Sequence, residues 1–296
     1  MISLRKRKPI EIMGITPDGI GILKNSSFHF SAGETQVRLN TIPKLEKVIV
    51  NADIHDSGSF VELLLTLDAL CRLPITCEIE LILPYLPYSR QDRACVEGEA
   101  FSLSVFVKAL APYLSVSDKV ITWDAHSPVA SSLFREEGCT LFNVKPDSLL
   151  RDFCRGGARF PSDTIVIAPD KGAVERATLA QKELGLSSVV YATKVRNPEN
   201  GQILRTDVPT EVSYAGKPLL IVDDICDGGR TFVELAKVLR KHNPSRIDLY
   251  VTHGIFSKSF EVFDNLIDTF YVANLLPNNS FYDAIPQNVS YLRSAA

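Results

Sequence analysis

No Gly-x-x-x-x-Gly-Lys-Ser/Thr loop occurs anywhere in this 296-residue chain, so the phosphate cradle of the common nucleoside triphosphate hydrolases is missing. Gly19 and Gly21 begin a Gly-x-Gly, but Lys24 stands where a dinucleotide-binding fingerprint needs its third glycine. An excess of positive charge is also lacking. With a net charge of -3 there is no overall basic field for nucleic acid, and an anionic substrate must be gripped by local lysines and arginines. The six cysteines show no paired short spacing for zinc, and a chain this long needs no disulfide framework, so a reducing, cytoplasmic setting is expected. No apolar run approaches membrane-spanning length, and the Arg5–Lys8 cluster lacks the apolar core of a signal peptide. Neither a membrane nor nucleic acid is expected as a partner.

What is present describes a globular protein of two ordinary domains, with 45% hydrophobic and 23% charged residues. Its most informative stretch is Leu219 to Thr231. Leu219 to Val222 read as a buried parallel strand, with Asp223 and Asp224 where it would emerge and a helix from about Phe232 to Lys241 following. In open α/β sheets ligands gather beyond the carboxyl ends of strands, where helix N-termini also point. Gly228 and Gly229 let main-chain N–H groups cup a phosphate, and Thr231 adds a hydroxyl. The same pattern also suits an ordinary strand-to-helix turn with a solvated acid pair.

Other strand ends carry chemistry too. Lys8 to Asn40 read as short strands broken by turns, an antiparallel flap that includes Phe30 to Arg38. Ser59 to Cys71 space their apolar residues as a helix, and Ile79 to Leu83 form a buried strand. That strand ends in Pro84-Tyr85-Leu86-Pro87-Tyr88-Ser89-Arg90-Gln91-Asp92-Arg93, where two prolines exclude a helix and two arginines are delivered beyond the sheet. The strand Val120 to Trp123 leads to Asp124-Ala125-His126-Ser127, and Thr164 to Ala168 to Pro169-Asp170-Lys171-Gly172-Ala173 ahead of a helix Val174 to Leu184. Val189 to Lys194 read as a strand. A polar stretch from Lys194 to Lys217 then has the composition of a lid. Ile247 to Thr252 form a strand ending at His253, which suits packing and ligand contact equally. Lys145-Pro146-Asp147 interrupts the pattern, and the expected domains are residues 1–146 and 147–296.

These segments, in this order, resemble the ribose-phosphate diphosphokinases (PRPP synthetases). The resemblance implies an α/β fold of two similar type I phosphoribosyltransferase domains, each a largely parallel sheet flanked by helices. It also implies that Phe30, Glu34, Arg90, Gln91 and Arg93 meet ATP, partly across a subunit interface, so self-association to a dimer or more is expected. His126 is implied as an ATP and Mg2+ ligand with catalytic weight, and Asp170 as a second Mg2+ and ribose ligand. Lys171, Gly172, Asp223, Asp224, Asp227, Gly228, Gly229, Arg230 and Thr231 are implied to hold the ribose phosphate, and Lys194 and Arg196 to brace the transferring diphosphoryl group.

The implied reaction moves the β,γ-diphosphoryl group of ATP to the anomeric hydroxyl of ribose 5-phosphate or, equally, of ADP-ribose, the latter serving NAD salvage. Three departures bear on it. Ala32 replaces an Asp that contacts adenine, Ala94 to Ser102 replace basic residues, and Asp227 to Thr231 have lost a hydroxyl and gained Arg230. Two alternatives are a phosphoribosyltransferase that consumes PRPP, which would not need the Arg90 to Arg93 loop, and a non-catalytic regulatory relative, which would be expected to lose His126 or Lys194.

Overall fold

The structure, a computed structural model, describes residues 8–23, 25–40, 44–73, 77–196, 203–276 and 285–292, with the backbone alone for 194–196 and 203–205. The chain divides into two compact units, built mainly from Leu4–Val144 and Lys145–Ala295.

In the first unit β1 (Ile10–Thr16) pairs antiparallel with β2 (Gly19–Ile22) on one side and with β5 (Lys47–Ala52) on the other. Between them β3 (Asn25–His29) and β4 (Thr35–Leu39) form a separate hairpin. After β5, helix α1 (Ser57–Cys71) crosses to β6 (Glu78–Leu83), helix α2 (Ser102–Leu110) to β7 (Lys119–Trp123) and helix α3 (Val129–Glu136) to β8 (Thr140–Val144), giving a sheet ordered β2-β1-β5-β6-β7-β8. Strands β5 to β8 run parallel because each is followed by a helix long enough to return the chain to the same edge. Asp56 starts α1 with a capping box, accepting from the Ser59 N–H at 2.7 Å. The β5 and β6 side chains alternate between buried and half-buried, and Val48, Val50, Leu81 and Leu83 join Leu63 and Leu67 of α1 in one core.

In the second unit every strand of the main sheet is parallel to its neighbour. The order is β10 (Ser188–Tyr191), β9 (Ile165–Ala168), β13 (Pro218–Cys226), β14 (Arg246–Gly254), β15 (Thr269–Leu275) and β16 (Val289–Tyr291). Three helices complete it: α4 (Pro146–Arg155), α5 (Val174–Leu184) and α6 (Arg230–Arg240). Such strands are buried on both faces and therefore read as unbroken apolar runs. Leu219, Ile221, Leu249 and Val251 pack with Leu235 and Leu239 of α6, whereas Tyr250 and Tyr271 meet Phe153 of α4 edge to face. A two-stranded antiparallel ribbon, β11 (Thr193–Arg196) with β12 (Ile203–Asp207), stands apart from the sheet.

Three expectations need correction. Strand β13 does not stop at Val222: it continues through the acids to Cys226, because β14 is equally long and pairs with it as far as Cys226↔Gly254. Helix α6 starts at Arg230, two residues early, so Arg230 and Thr231 form its first turn. The expected strand Val189 to Lys194 ends at Tyr191, and the polar stretch from Lys194 is not irregular throughout, since Lys194 pairs with Thr206 and Val195 with Arg205 in the β11–β12 ribbon.

Candidate active site

The second unit gathers its acids and glycines at the carboxyl edge of the sheet. Gly229 ends the loop after β13 and caps α6 with φ 74°, a conformation glycine adopts without steric cost. Its carbonyl accepts from the N–H groups of Phe232 at 3.0 Å and Val233 at 2.9 Å. A Cβ there would lie 2.4 Å from Phe263 Cζ, so no larger residue fits without displacing a buried ring. Gly228, Gly229 and the α6 N-terminus thus form an anion-accepting turn with Thr231 half-buried and the Arg230 side chain exposed. Among the described residues no carboxylate pairs with Arg230 or with the exposed Lys171.

Asp223 and Asp224 precede that turn within β13. The Asp224 N–H donates to Asp223 Oδ1 at 2.9 Å, which curls the first carboxylate back along the chain. Desolvation by the surrounding protein, and then the charge of Asp224, push the Asp223 carboxyl well above the ordinary carboxylate range, and Arg176 only partly opposes this. Two adjoining acids so crowded are poised for a ligand that offers hydroxyl donors or positive charge. Arg176, on α5, reaches Asp224 Oδ2 at 3.6 Å with both side chains largely buried. The sequence does not single out Arg176, because Val174 to Leu184 reads there simply as the helix that follows the Pro169 to Ala173 segment. The available signal was its place one turn beyond the Pro169 to Ala173 segment.

Asp170 lies at the end of β9, beside β13 in the sheet, and its Oδ1 accepts from the Gly172 N–H at 3.0 Å. The acceptor turn, the acid pair and Asp170 therefore share one sheet edge. His253 is different: it is buried, and its Nδ1 lies 3.5 Å from Asn274 Nδ2 on the neighbouring strand. Lys194 and Arg196 lie in the backbone of β11, and their side chains fall outside the description.

In the first unit the loops after β6 and β7 are neighbours because the strands pair, Leu83 opposite Thr122. Pro84 O accepts from the Trp123 N–H at 3.1 Å, and the Ser127 hydroxyl donates to Asp92 Oδ2 at 2.7 Å. That bond, missed in the sequence, clips the loop bearing Arg90, Gln91 and Arg93 to the loop bearing His126. All four of those side chains are exposed. Asp124 is buried with φ 40°, and its N–H donates to Val144 O at 2.8 Å, which turns the chain so that His126 emerges at the surface. Phe30 and Glu34 stand at the tip of the β3–β4 hairpin, where the Phe30 N–H donates to Glu34 O at 2.9 Å. Phe30 is 55% exposed and meets Phe28 edge to face.

Among the described residues no three His, Cys, Asp or Glu side chains gather as a cation cage. Magnesium ordinarily takes one or two carboxylates and completes its shell with water and substrate phosphates, a chemistry that the Asp170 carboxylate fits and that the His126 imidazole, a nitrogen donor, fits less well.

Comparison with known proteins agrees with this layout. Residues 13–113 match the N-terminal domain of ribose phosphate pyrophosphokinase, and residues 158–271 match the phosphoribosyl transferase domain. The ribose-phosphate pyrophosphokinase of Thermococcus kodakarensis is 32% identical over 260 residues, 88% of each chain. That of Pyrococcus furiosus is 31% identical over 253 residues, 84% of each chain. The crystal structure of phosphoribosylpyrophosphate synthetase from Mycobacterium smegmatis shares the fold, with a TM-score of 0.75 over 92% of this chain and 86% of that one at 22% identity. With both of its units matched and relatives covered nearly end to end, this chain belongs to the ribose-phosphate pyrophosphokinase family of diphosphotransferases.

Proposed function

We propose that this enzyme transfers the β,γ-diphosphoryl group of ATP to the anomeric hydroxyl of ribose 5-phosphate. The 1-oxygen forms a bond to the β-phosphorus, the bond from that phosphorus to the α,β-bridging oxygen breaks, AMP leaves, and the hydroxyl proton passes to solvent. The observation that carries this reading is the glycine-capped α6 N-terminus placed directly after the Asp223–Asp224 pair. The turn suits the 5-phosphate and the acids suit the ribose hydroxyls. Two relatives named ribose-phosphate pyrophosphokinase support the acceptor. The match of residues 13–113 to a pyrophosphokinase N-terminal domain weighs against a phosphoribosyltransferase that only consumes the product.

Phe30, Glu34, Arg90, Gln91, Arg93 and His126 are assigned to ATP on the first unit. Asp170, Lys171, Gly172, Asp223, Asp224 and the loop Asp227 to Thr231 are assigned to the acceptor on the second. Asp170, with His126 on the nucleotide side, would hold magnesium, which would supply charge neutralisation for the phosphates. The residues' own work is positioning and electrostatic, as phosphoryl transfer asks for little covalent chemistry. Lys194 and Arg196 are assigned to the transferring group. Phe30 at its exposed hairpin tip is the residue through which a second copy would complete the nucleotide site.

ADP-ribose is a second acceptor reading, favoured by one observation: the exposed Arg230 side chain adds positive charge to a loop opened by two glycines. AMP release from magnesium-ATP, assayed separately with ribose 5-phosphate and with ADP-ribose, distinguishes the two, and release with neither would defeat both. Lys194→Ala should lower the rate by roughly a hundred- to a thousandfold with the fold intact. A full-rate variant would remove Lys194 from the mechanism.

A further inference from the structure

The turn after β14 is tied to the acceptor loop by four hydrogen bonds. Cys226 O accepts from the N–H groups of Ile255 at 2.8 Å and Phe256 at 3.1 Å, and Asp227 O accepts from the Ser257 N–H at 3.2 Å. The Ser257 hydroxyl donates to Asp227 Oδ1 at 2.7 Å. Phe256 takes a left-handed φ of 47° and is buried among Phe260, Phe263 and Phe270. Lys258 therefore rises from a fixed base. A Cβ on Gly228 would lie 3.5 Å from Lys258 Cγ, so the lysine stem passes beside the glycine that leaves the loop open. From Cγ the ammonium reaches roughly 4 Å farther. The side chain is exposed, and among the described residues no carboxylate pairs with it.

A phosphate monoester carries nearly two negative charges at neutral pH, whereas a helix N-terminus offers only about half a positive one. Asp227, an acid of the same loop, also adds negative charge there while its Oδ1 serves Ser257. Additional cations are needed to hold such an anion, and a flexible lysine is an effective point-charge partner for phosphate.

We propose that Lys258 is a further binding residue of the acceptor site, its ammonium gripping the phosphate ester at the 5-position of the acceptor sugar beside Gly228. The proposal rests on the acceptor reading above and adds to it a residue outside the strand-loop-helix segment.

The test uses the full chain with saturating magnesium-ATP and titrates ribose 5-phosphate, and in parallel ADP-ribose, against wild type and the Lys258→Ala, Lys258→Glu and Lys258→Arg variants. With the acceptor that wild type turns over, Lys258→Ala should raise the acceptor KM roughly tenfold and Lys258→Glu more, while Lys258→Arg stays within about threefold. The KM for ATP and kcat at saturating acceptor should hold within about twofold in all three. An acceptor KM unchanged in the alanine and glutamate variants, or an ATP KM that rises in step, overturns the proposal. Wild type inactive with both acceptors overturns the functional reading and Lys258 with it, whereas active wild type with indifferent variants overturns Lys258 alone.

Discussion

Asp223 shows how much of this site is decided by single side chains. A carboxyl whose pKa is higher in the folded than in the unfolded chain binds more protons when folded, so stability falls as pH rises from the unfolded value of 3.8 through the folded one. Above that window the full penalty remains. Asp223→Asn keeps the shape and removes the charge, so the ligand-free variant should melt higher than wild type at neutral pH, by roughly 2–4 °C for each kcal/mol relieved. The gain should shrink as the pH approaches 4, and turnover should be lost. A melting point equal to or below that of wild type at pH 7 would show that Asp223 is not strained there. Arg176→Ala should raise the acceptor KM and leave the ATP KM unchanged, with Arg176→Lys restoring part of the effect. Equal changes for both substrates would assign Arg176 to folding alone. The acids and glycines were legible because their spacing to an apolar strand is itself a pattern. Arg176 and Ser127 were harder to read, since each acts on a residue distant in sequence, Asp224 and Asp92 respectively.

At the scale of elements, the β13–α6 connection depends on one backbone conformation. Gly229→Ala would place a non-glycine residue at φ 74° and drive its Cβ into the Phe263 ring, 2.4 Å from Cζ. The left-handed backbone and the overpacking together should cost roughly 2–4 kcal/mol, read from urea unfolding, and should weaken acceptor binding as well. A variant with wild-type stability would mean that Phe263 yields freely and that the turn tolerates larger residues. Apolar runs located the central strands of the second unit's parallel sheet, because strands buried on both faces have little polar sequence to disguise them. Their ends were harder. Asp223 and Asp224 looked like loop residues, yet pairing with β14 holds them in the sheet, and pairing partners are not visible in one strand's composition. For the same reason the polar stretch from Lys194 looked irregular, although its first residues pair with β12.

Across the whole molecule, each unit presents its own set of loops at strand ends: arginines and a histidine in the first, acids, glycines and exposed cations in the second. In the proposed reaction the two sets would divide the substrates, nucleotide to one and sugar phosphate to the other. Motif order along the chain points to that division, because most of the motifs sit directly after an apolar strand. What motif order could not reveal is the acceptor, since a generic phosphate turn serves both sugars and the choice between them falls to individual side chains around it. The most direct measurement is to follow ATP labelled at the β-phosphorus through turnover with ribose 5-phosphate and with ADP-ribose. Label appearing in the sugar product, with one AMP formed per acceptor consumed, is the predicted result. Label recovered only as inorganic pyrophosphate or ADP, independent of either acceptor, would contradict diphosphoryl transfer by this enzyme.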